Sequence, residues 1–264
     1  MQALGFLYLF TLMAGHSKWS KVKRFKGALD AKRGRLFSKL SKEITVATRL
    51  GGGQPSTNPR LRAAIQAARA QSMPNENVER AIKRGTGELG SQVVEEIIYE
   101  GYAPGGVALI VEAATDNKNR TAADIRSIFA KNHGNLGGPG SVSFMFHRKG
   151  QITVPVSSAG ENRLFEIAAD AGADDLASEG DHHIITTPPD QLYAVSEALK
   201  KASIEPDSQK LTYIPESSIA IEDPKTAVQV LRLCDALDDC DDVLNVHANF
   251  DIPDDILAHA QEEL

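Results

Sequence analysis

The sequence predicts a multidomain α+β protein, in which an N-terminal three-helix domain precedes two α+β domains, one ferredoxin-like and inserted in the other. Three observations support this fold class. The spacing of apolar residues changes from helical to strand-like near residue 90. Between residues 151 and 214 the predicted elements follow the order β-α-β-β-α-β, which is the ferredoxin-like order. The helix and strands after residue 216 are too few to bury themselves, so we expect them to complete the sheet begun before the insertion.

These patterns place the domain boundaries in loops. We expect a basic helical domain at residues 13–90, a discontinuous α+β domain at 91–148 plus 216–264, and an inserted ferredoxin-like domain at 149–215. Residues 1–12 are apolar and uncharged, too short to span a bilayer, and lack the basic residues of a signal segment. We therefore expect translation to begin at Met13, and residues 1–12 are left out of the fold prediction.

The first predicted helix combines an apolar face with a basic face. Residues three, four and seven apart share one side of a helix, and the apolar residues with these spacings are Leu29, Leu36, Leu40, Ile44 and Ala47. Three glycines at 51–53 end this helix. A second helix is expected to start at Pro59, capped by Thr57 or Asn58. A third opens at Pro74 and is expected to end at Gly85.

A hairpin begins the discontinuous domain. Two β-rich runs, Ile97–Tyr102 and Val107–Ala113, flank Pro104-Gly105-Gly106. A helix should follow, because Thr121 with Asp124 resembles a capping box.

The remaining elements follow the same rules of alternation and helical spacing. A strand is expected at Val142–His147, with its apolar residues on one face. The inserted domain comprises strand Gln151–Val156, helix Glu161–Ala171, strands Asp174–Ser178 and His182–Thr187, helix Pro189–Ala202 and strand Gln209–Ile214. The chain then returns through a short strand near Ser218–Ile221, helix Pro224–Leu237 and strand Val243–Asn249.

Charge is distributed unevenly along the chain. The net charge is -6, with 29 Lys+Arg and 35 Asp+Glu. Residues 13–91 nevertheless hold 17 Lys+Arg against 5 Asp+Glu, so this first third is strongly basic and the remainder strongly acidic. A basic module in an acidic protein indicates a polyanionic partner, meaning nucleic acid or an assembly rich in it.

Candidate contact residues lie between residues 16 and 42. Lys32, Arg35, Lys39 and Lys42 recur at helical spacing, and each could displace a counterion from a phosphate. Residues 17–27 form a basic arm in which Trp19 could stack on a base. The alternative is that the stripe faces solvent and Trp19 packs in the core. The nucleic-acid-binding residues predicted are Lys18, Trp19, Lys21, Lys23, Arg24, Lys26, Lys32, Arg33, Arg35, Lys39 and Lys42.

The sequence offers no catalytic or cofactor motif. It contains no P-loop, no nucleophile elbow, no H-E-x-x-H and no clustered Cys/His set, so we expect no cofactor and no metal. One acidic cluster is notable, because the helix dipole disfavours anions at a helix C-terminus. It could face solvent, bind a divalent ion or bind a basic partner surface, and it comprises Asp235, Asp238, Asp239, Asp241 and Asp242.

Several motifs resemble the YebC family. They include MAGHSKW at Met13–Trp19, DAKRGRLFSKLSKEITVA at Asp30–Ala47, NVERAIKRGTGE at Asn77–Glu88, YEGYAPGGVALIVE at Tyr99–Glu112 and TDNKNRTAADIR at Thr115–Arg126. The resemblance implies a non-enzymatic three-domain protein with one α+β domain inserted in the other. It also implies a probable transcriptional regulator that binds DNA, although mitochondrial relatives activate translation. Ser20 and Phe25 depart from the family pattern in the basic arm.

The combined prediction is a cytoplasmic, non-enzymatic regulator that binds DNA through its basic N-terminal helical domain. The alternative is a ribosome-associated translation factor that contacts ribosomal RNA with the same surface. A nuclease would need a metal or an acid–base pair near the cations, and the acidic residues lie far from them in sequence. We expect no membrane and no small-molecule substrate as a partner.

Overall fold

The N-terminal part of the fold is a bundle of three helices, α1 (Asp30–Gly51), α2 (Pro59–Ala70) and α3 (Asn75–Thr86). The structure is a computed structural model that describes residues 30–90 and 94–262, with side chains described at 34–90 and 94–260. The predicted apolar faces meet in one core, with two exceptions on the first helix: Leu36, expected on the apolar face, is exposed because it lies beyond the part of α1 that α2 and α3 cover, and Leu29 lies outside the described residues. The buried members of this core are Ile44, Ala47, Leu61, Ala64, Ile65, Ala68, Met73, Val78 and Ala81, with Phe37, Leu40 and Ile82 packed at its edge.

The ends of these helices differ in part from the prediction. Asn58, one of the two predicted caps, accepts a hydrogen bond from the Leu61 backbone N–H at 3.0 Å. α3 runs past Gly85 and ends at Thr86, followed by Gly87 in a left-handed conformation with φ 86°. A Cβ on Gly85 would lie 2.6 Å from the Thr45 carbonyl oxygen. Gly85 therefore permits close packing of α1 on α3, and Gly87 provides the helix end.

The rest of the described chain consists of two four-stranded sheets, a two-stranded sheet and five helices. In chain order the elements are β1 (Glu95–Tyr102), β2 (Ala108–Thr115), α4 (Lys118–Lys131), β3 (Asn135–Leu136), β4 (Phe146–Pro155), α5 (Glu161–Asp170), β5 (Asp175–Glu179), β6 (His182–Thr187), α6 (Leu192–Lys201), β7 (Ser208–Pro215), β8 (Ile219–Ala220), α7 (Pro224–Asp238), β9 (Val243–Ala248), β10 (Phe250–Asp251) and α8 (Asp254–Glu262).

The first sheet joins strands from both sides of the insertion. Its order is β3-β1-β2-β9, and β1 and β2 form the predicted antiparallel hairpin from Glu95↔Thr115 to Tyr102↔Ala108. β9 pairs with β2 although more than a hundred residues separate them. The fold class is thereby confirmed, because the late strand completes the early sheet. Helices α4, α7 and α8 pack on one face of this sheet and form a hydrophobic core with it. α8 was not predicted, and its Ala260 is fully buried in that core.

The inserted unit has the ferredoxin-like topology. Its strands lie in the order β5-β6-β4-β7 with every neighbouring pair antiparallel. Ile152, Leu164, Ile185 and Leu199 are fully buried between this sheet and helices α5 and α6. The predicted β-α-β-β-α-β order is therefore correct.

The entry into the inserted unit was predicted wrongly. The two strands expected at Val142–His147 and Gln151–Val156 are one strand, β4, which runs through the boundary expected at residue 148. Residues 143–145 form a 3-10 turn in which Phe144 is exposed, while Val142 and Phe146 are buried. The Glu100 carboxylate stabilises this turn, because it accepts hydrogen bonds from the backbone N–H groups of Val142 and Ser143 at 2.7 and 2.8 Å.

The start of α4 also differs from the predicted capping box. Asn117 caps the helix by accepting a hydrogen bond from the Arg120 N–H at 3.1 Å. Thr121 lies one turn further on and is fully buried. Within the described parts of the chain, no helix combines the length and apolarity that a bilayer crossing requires.

Candidate nucleic-acid interface

The basic face of α1 contacts the acidic cluster that ends α7. The Arg35 guanidinium lies 2.9 Å from the Asp239 carboxylate, and Lys39 Nζ lies 3.0 Å from Asp238 Oδ1. Lys42 Nζ lies 2.5 Å from Asp242 Oδ1. Two features that the sequence marked separately, a basic stripe and an acidic cluster, are thus partners within one molecule.

The two lysines also bind backbone carbonyls, one in the last residue of α7 and one in the loop that follows the helix. Lys39 Nζ donates a hydrogen bond to the Asp238 carbonyl, and Lys42 Nζ donates to the Asp241 carbonyl at 2.7 Å. The last carbonyls of a helix have no partner within the helix, and its dipole places partial negative charge there. Cations from α1 therefore compensate both this end and the carboxylates beside it.

Asp242 connects the helical domain to the first sheet. Its Oδ2 atom accepts hydrogen bonds from Thr121 Oγ1 at 2.6 Å, from Arg120 Nη2 at 3.2 Å and from Thr115 Oγ1 at 3.3 Å. Burial alone would raise the pKa of this carboxyl. The bonds from Lys42, Thr121 and Arg120 outweigh burial and lower the pKa of Asp242 to about 2. Asp242 is therefore a carboxylate throughout the physiological range.

These contacts cover much of the predicted stripe. The side chains of Lys39 and Lys42 are only 12% and 20% exposed, whereas that of Arg35 is 46% exposed. Lys32 and Arg33 lie in α1, but their side chains are outside those described. Six other predicted contact residues lie outside the described residues altogether: Lys18, Trp19, Lys21, Lys23, Arg24 and Lys26.

A second cross-domain contact centres on Arg60, which the sequence analysis did not single out. Its guanidinium bridges Glu43 of α1, at 2.8 Å, and Glu96 of β1. Desolvation would lower the pKa of Arg60, but the two carboxylates outweigh it and raise that pKa further above its ordinary value. No local pattern could reveal this bridge, because its acids lie 17 and 36 residues from Arg60.

Other cations of the helical domain point to solvent. Arg69 on α2, and Lys83 and Arg84 on α3, are exposed and make no ion pair with the described side chains. These three cations are therefore exposed whether or not α1 contacts α7.

Two features of the described residues concern possible catalysis. No three of their His, Cys, Asp or Glu side chains are grouped so as to hold a metal ion. Cys234 is fully buried, and desolvation raises the pKa of its thiol, which leaves it a poor nucleophile.

Comparison with known proteins decides the family. The family descriptions "TACO1/YebC protein N-terminal domain" and "TACO1/YebC second and third domain" match residues 17–88 and 94–250. The chain belongs to the TACO1/YebC family. The resemblance inferred from its sequence motifs is thereby confirmed.

Relatives of this TACO1/YebC chain are similar over nearly their whole length. A protein of Syntrophobacter fumaroxidans is 52% identical, and one of Sulfurihydrogenibium sp. is 54% identical; each match covers 93% of this chain and 98% of the relative. Both relatives are named probable transcriptional regulatory proteins. The crystal structure of a conserved hypothetical protein, Aq1575 from Aquifex aeolicus, matches with a TM-score of 0.82 at 50% identity, covering 90% of this chain and 98% of that one.

Proposed function

We propose that this protein is a non-enzymatic regulator that binds duplex DNA through its basic N-terminal helical domain. The observation that supports this most directly is the charge distribution: 17 Lys+Arg against 5 Asp+Glu at residues 13–91, in a chain of net charge -6. The names of its relatives, probable transcriptional regulatory proteins, agree with this proposal.

The proposed contact surface has two parts. One is the basic arm with Lys18, Lys21, Lys23, Arg24 and Lys26, in which Trp19 stacks on a base. The other is the N-terminal half of the α1 stripe, with Lys32, Arg33 and Arg35, followed by Lys39 and Lys42. Exposed cations on α2 and α3 extend the same positive field.

Most of these contacts would be made to phosphates. Phosphate contacts fix the position of a protein on the duplex but carry no sequence information. Each one releases condensed counterions, so the logarithm of the affinity falls with the logarithm of salt concentration by about 0.9 per phosphate neutralised. The binding that we propose is therefore strongly salt-dependent.

The test measures DNA affinity across a salt series for the protein and for a variant without four of the five arm cations, K21Q/K23Q/R24Q/K26Q. If each of the four cations neutralises one phosphate, the variant should lose about 3 to 4 units of salt slope. Affinity is read by fluorescence anisotropy on a labelled 20-bp duplex of random sequence, and again on a structured RNA and on ribosomes.

A matched control removes four exposed cations from the α+β domains, in the variant R126Q/K131Q/K201Q/K225Q. It changes the net charge by the same amount and should keep the original slope. Equal losses in the two variants would overturn the proposed surface. A preference for ribosomes over DNA at about 0.15 M salt, where screening is strong, would replace DNA by ribosomal RNA as the partner.

A further inference from the structure

We propose that the acidic cluster at the end of α7 masks the α1 stripe, so that nucleic acid must displace it before Arg35, Lys39 and Lys42 can act. This inference rests on the proposed function, since it concerns access to the same surface. It assigns Asp238 and Asp239 an autoinhibitory role, in which their carboxylates occupy the positions that phosphates would take.

The geometry supports a competition for the same groups. Arg35, Lys39 and Lys42 span two turns on one side of α1, about 10 Å along its axis. Each faces a different carboxylate, on Asp239, Asp238 and Asp242 respectively. A lysine whose ammonium already binds a carboxylate and a carbonyl has few donors left for a phosphate. The masked cations can therefore contribute to DNA binding only after the pairs open.

The three ion pairs between α1 and the acidic cluster differ in exposure, and the most exposed pair is the easiest to break. Arg35 and Asp239 are 46% and 58% exposed, and exposed pairs contribute little to stability. Asp242 is bound on its other side by Thr121 and Arg120 of its own domain. Asp242 therefore has a structural role whether or not the mask is closed, whereas Asp238 and Asp239 are better targets for a test.

The experiment compares the full-length protein with the variant D238N/D239N. Asparagine keeps the size of each side chain and removes its charge. We expect the affinity for the random 20-bp duplex to rise about 3- to 10-fold at about 0.1 M salt, because the cost of breaking the exposed Arg35–Asp239 pair and the less exposed Lys39–Asp238 pair is removed. By reciprocity, saturating DNA should speed amide hydrogen exchange at residues 235–242 in the original protein.

The matched control is E166Q/E205Q, which removes two exposed charges from the inserted domain. It raises the net charge by the same amount but leaves the α1–α7 contact intact. A similar gain in affinity in both variants, or no gain in D238N/D239N, would overturn the mask alone. If none of the three proteins binds DNA or RNA, the proposed function fails, and the mask fails with it.

Discussion

The Asp242 carboxylate links the helical domain to the discontinuous α+β domain. It binds Lys42 of the helical domain with one oxygen, and Thr121, Arg120 and Thr115 of its own domain with the other. A charge with so few solvent contacts stabilises the fold only while it stays ionised and fully bonded. The neighbouring Asp241 is exposed and offers only its backbone carbonyl to Lys42.

We predict that Asp242→Asn lowers the free energy of unfolding by about 1–3 kcal/mol near pH 6, since it leaves Lys42 without its counter-charge. The effect should depend on pH in one direction. The pKa of Asp242 is about 2 in the folded protein and ordinarily 3.8. Its ionisation therefore contributes stability above about pH 4, and this contribution is lost as pH falls through 2.

The measurement is urea unfolding of the original protein and the variant between pH 6 and pH 2. Their difference should shrink as the pH falls below 4. Asp241→Asn is the control, and it should stay within about 0.5 kcal/mol of the original protein. A difference between the original protein and Asp242→Asn that is independent of pH would show that shape, and not ionisation, explains the role of Asp242.

At the scale of elements, Asn58 joins two helices. Its Oδ1 caps α2, while its Nδ2 donates hydrogen bonds to the carbonyls of Ala47, at 2.7 Å, and Gly52, at 2.8 Å. The same side chain thus begins one helix and satisfies carbonyls at the end of another. This double use fixes the turn between α1 and α2.

We predict that Asn58→Asp destabilises the protein by about 1–3 kcal/mol, although aspartate is as good an N-cap as asparagine in most helices. The carboxylate keeps the cap but cannot donate to the two carbonyls. Thermal or urea unfolding measures the loss. Asn117→Asp is the control, because the Asn117 side chain also caps a helix but is exposed and only accepts a hydrogen bond. Equal behaviour of the two variants would contradict the double role of Asn58.

At the scale of the whole molecule, ion pairs among the described side chains hold the helical domain to the discontinuous α+β domain at two places. One is the α1–α7 contact, and the other is Arg60 between Glu43 and Glu96. Arg62 lies 3.8 Å from Glu197 of the inserted domain, so the charges of α2 reach that domain as well. Ion pairs at a surface weaken as the salt concentration rises, so we expect salt to loosen the contact between the helical domain and the α+β domains.

We predict that Arg60→Met loosens the docking of the helical domain, because it leaves Glu43 and Glu96 facing each other without the intervening cation. Hydrogen exchange should become faster in α1 and at residues 94–97, while the inserted sheet keeps its exchange rates. Adding Glu43→Gln and Glu96→Gln should restore slow exchange, since the repulsion is then removed. Arg80→Met breaks only the exposed pair with Glu76 inside α3, and it should change neither region.

The fold was predictable to the extent that local spacing determined it. The core positions Ile44, Ala47, Leu61 and Ile65 followed from helical periodicity, and the ferredoxin-like order followed from alternation. The errors occurred where a distant group decides local structure. Glu100 binds the backbone N–H groups of Val142 and Ser143, and a Cβ on Gly85 would meet the Thr45 carbonyl oxygen; neither contact leaves a local signal.

Part of the candidate site was likewise predictable from local spacing, and part was not. The sequence by itself determined that Arg35, Lys39 and Lys42 share one face of a helix and that a run of aspartates ends another, because helical spacing depends only on neighbouring residues. Only the tertiary structure decided that these two groups bind each other. About two hundred residues separate the paired charges. The attraction between two charges depends on their distance in space, and only the fold brings these charges together.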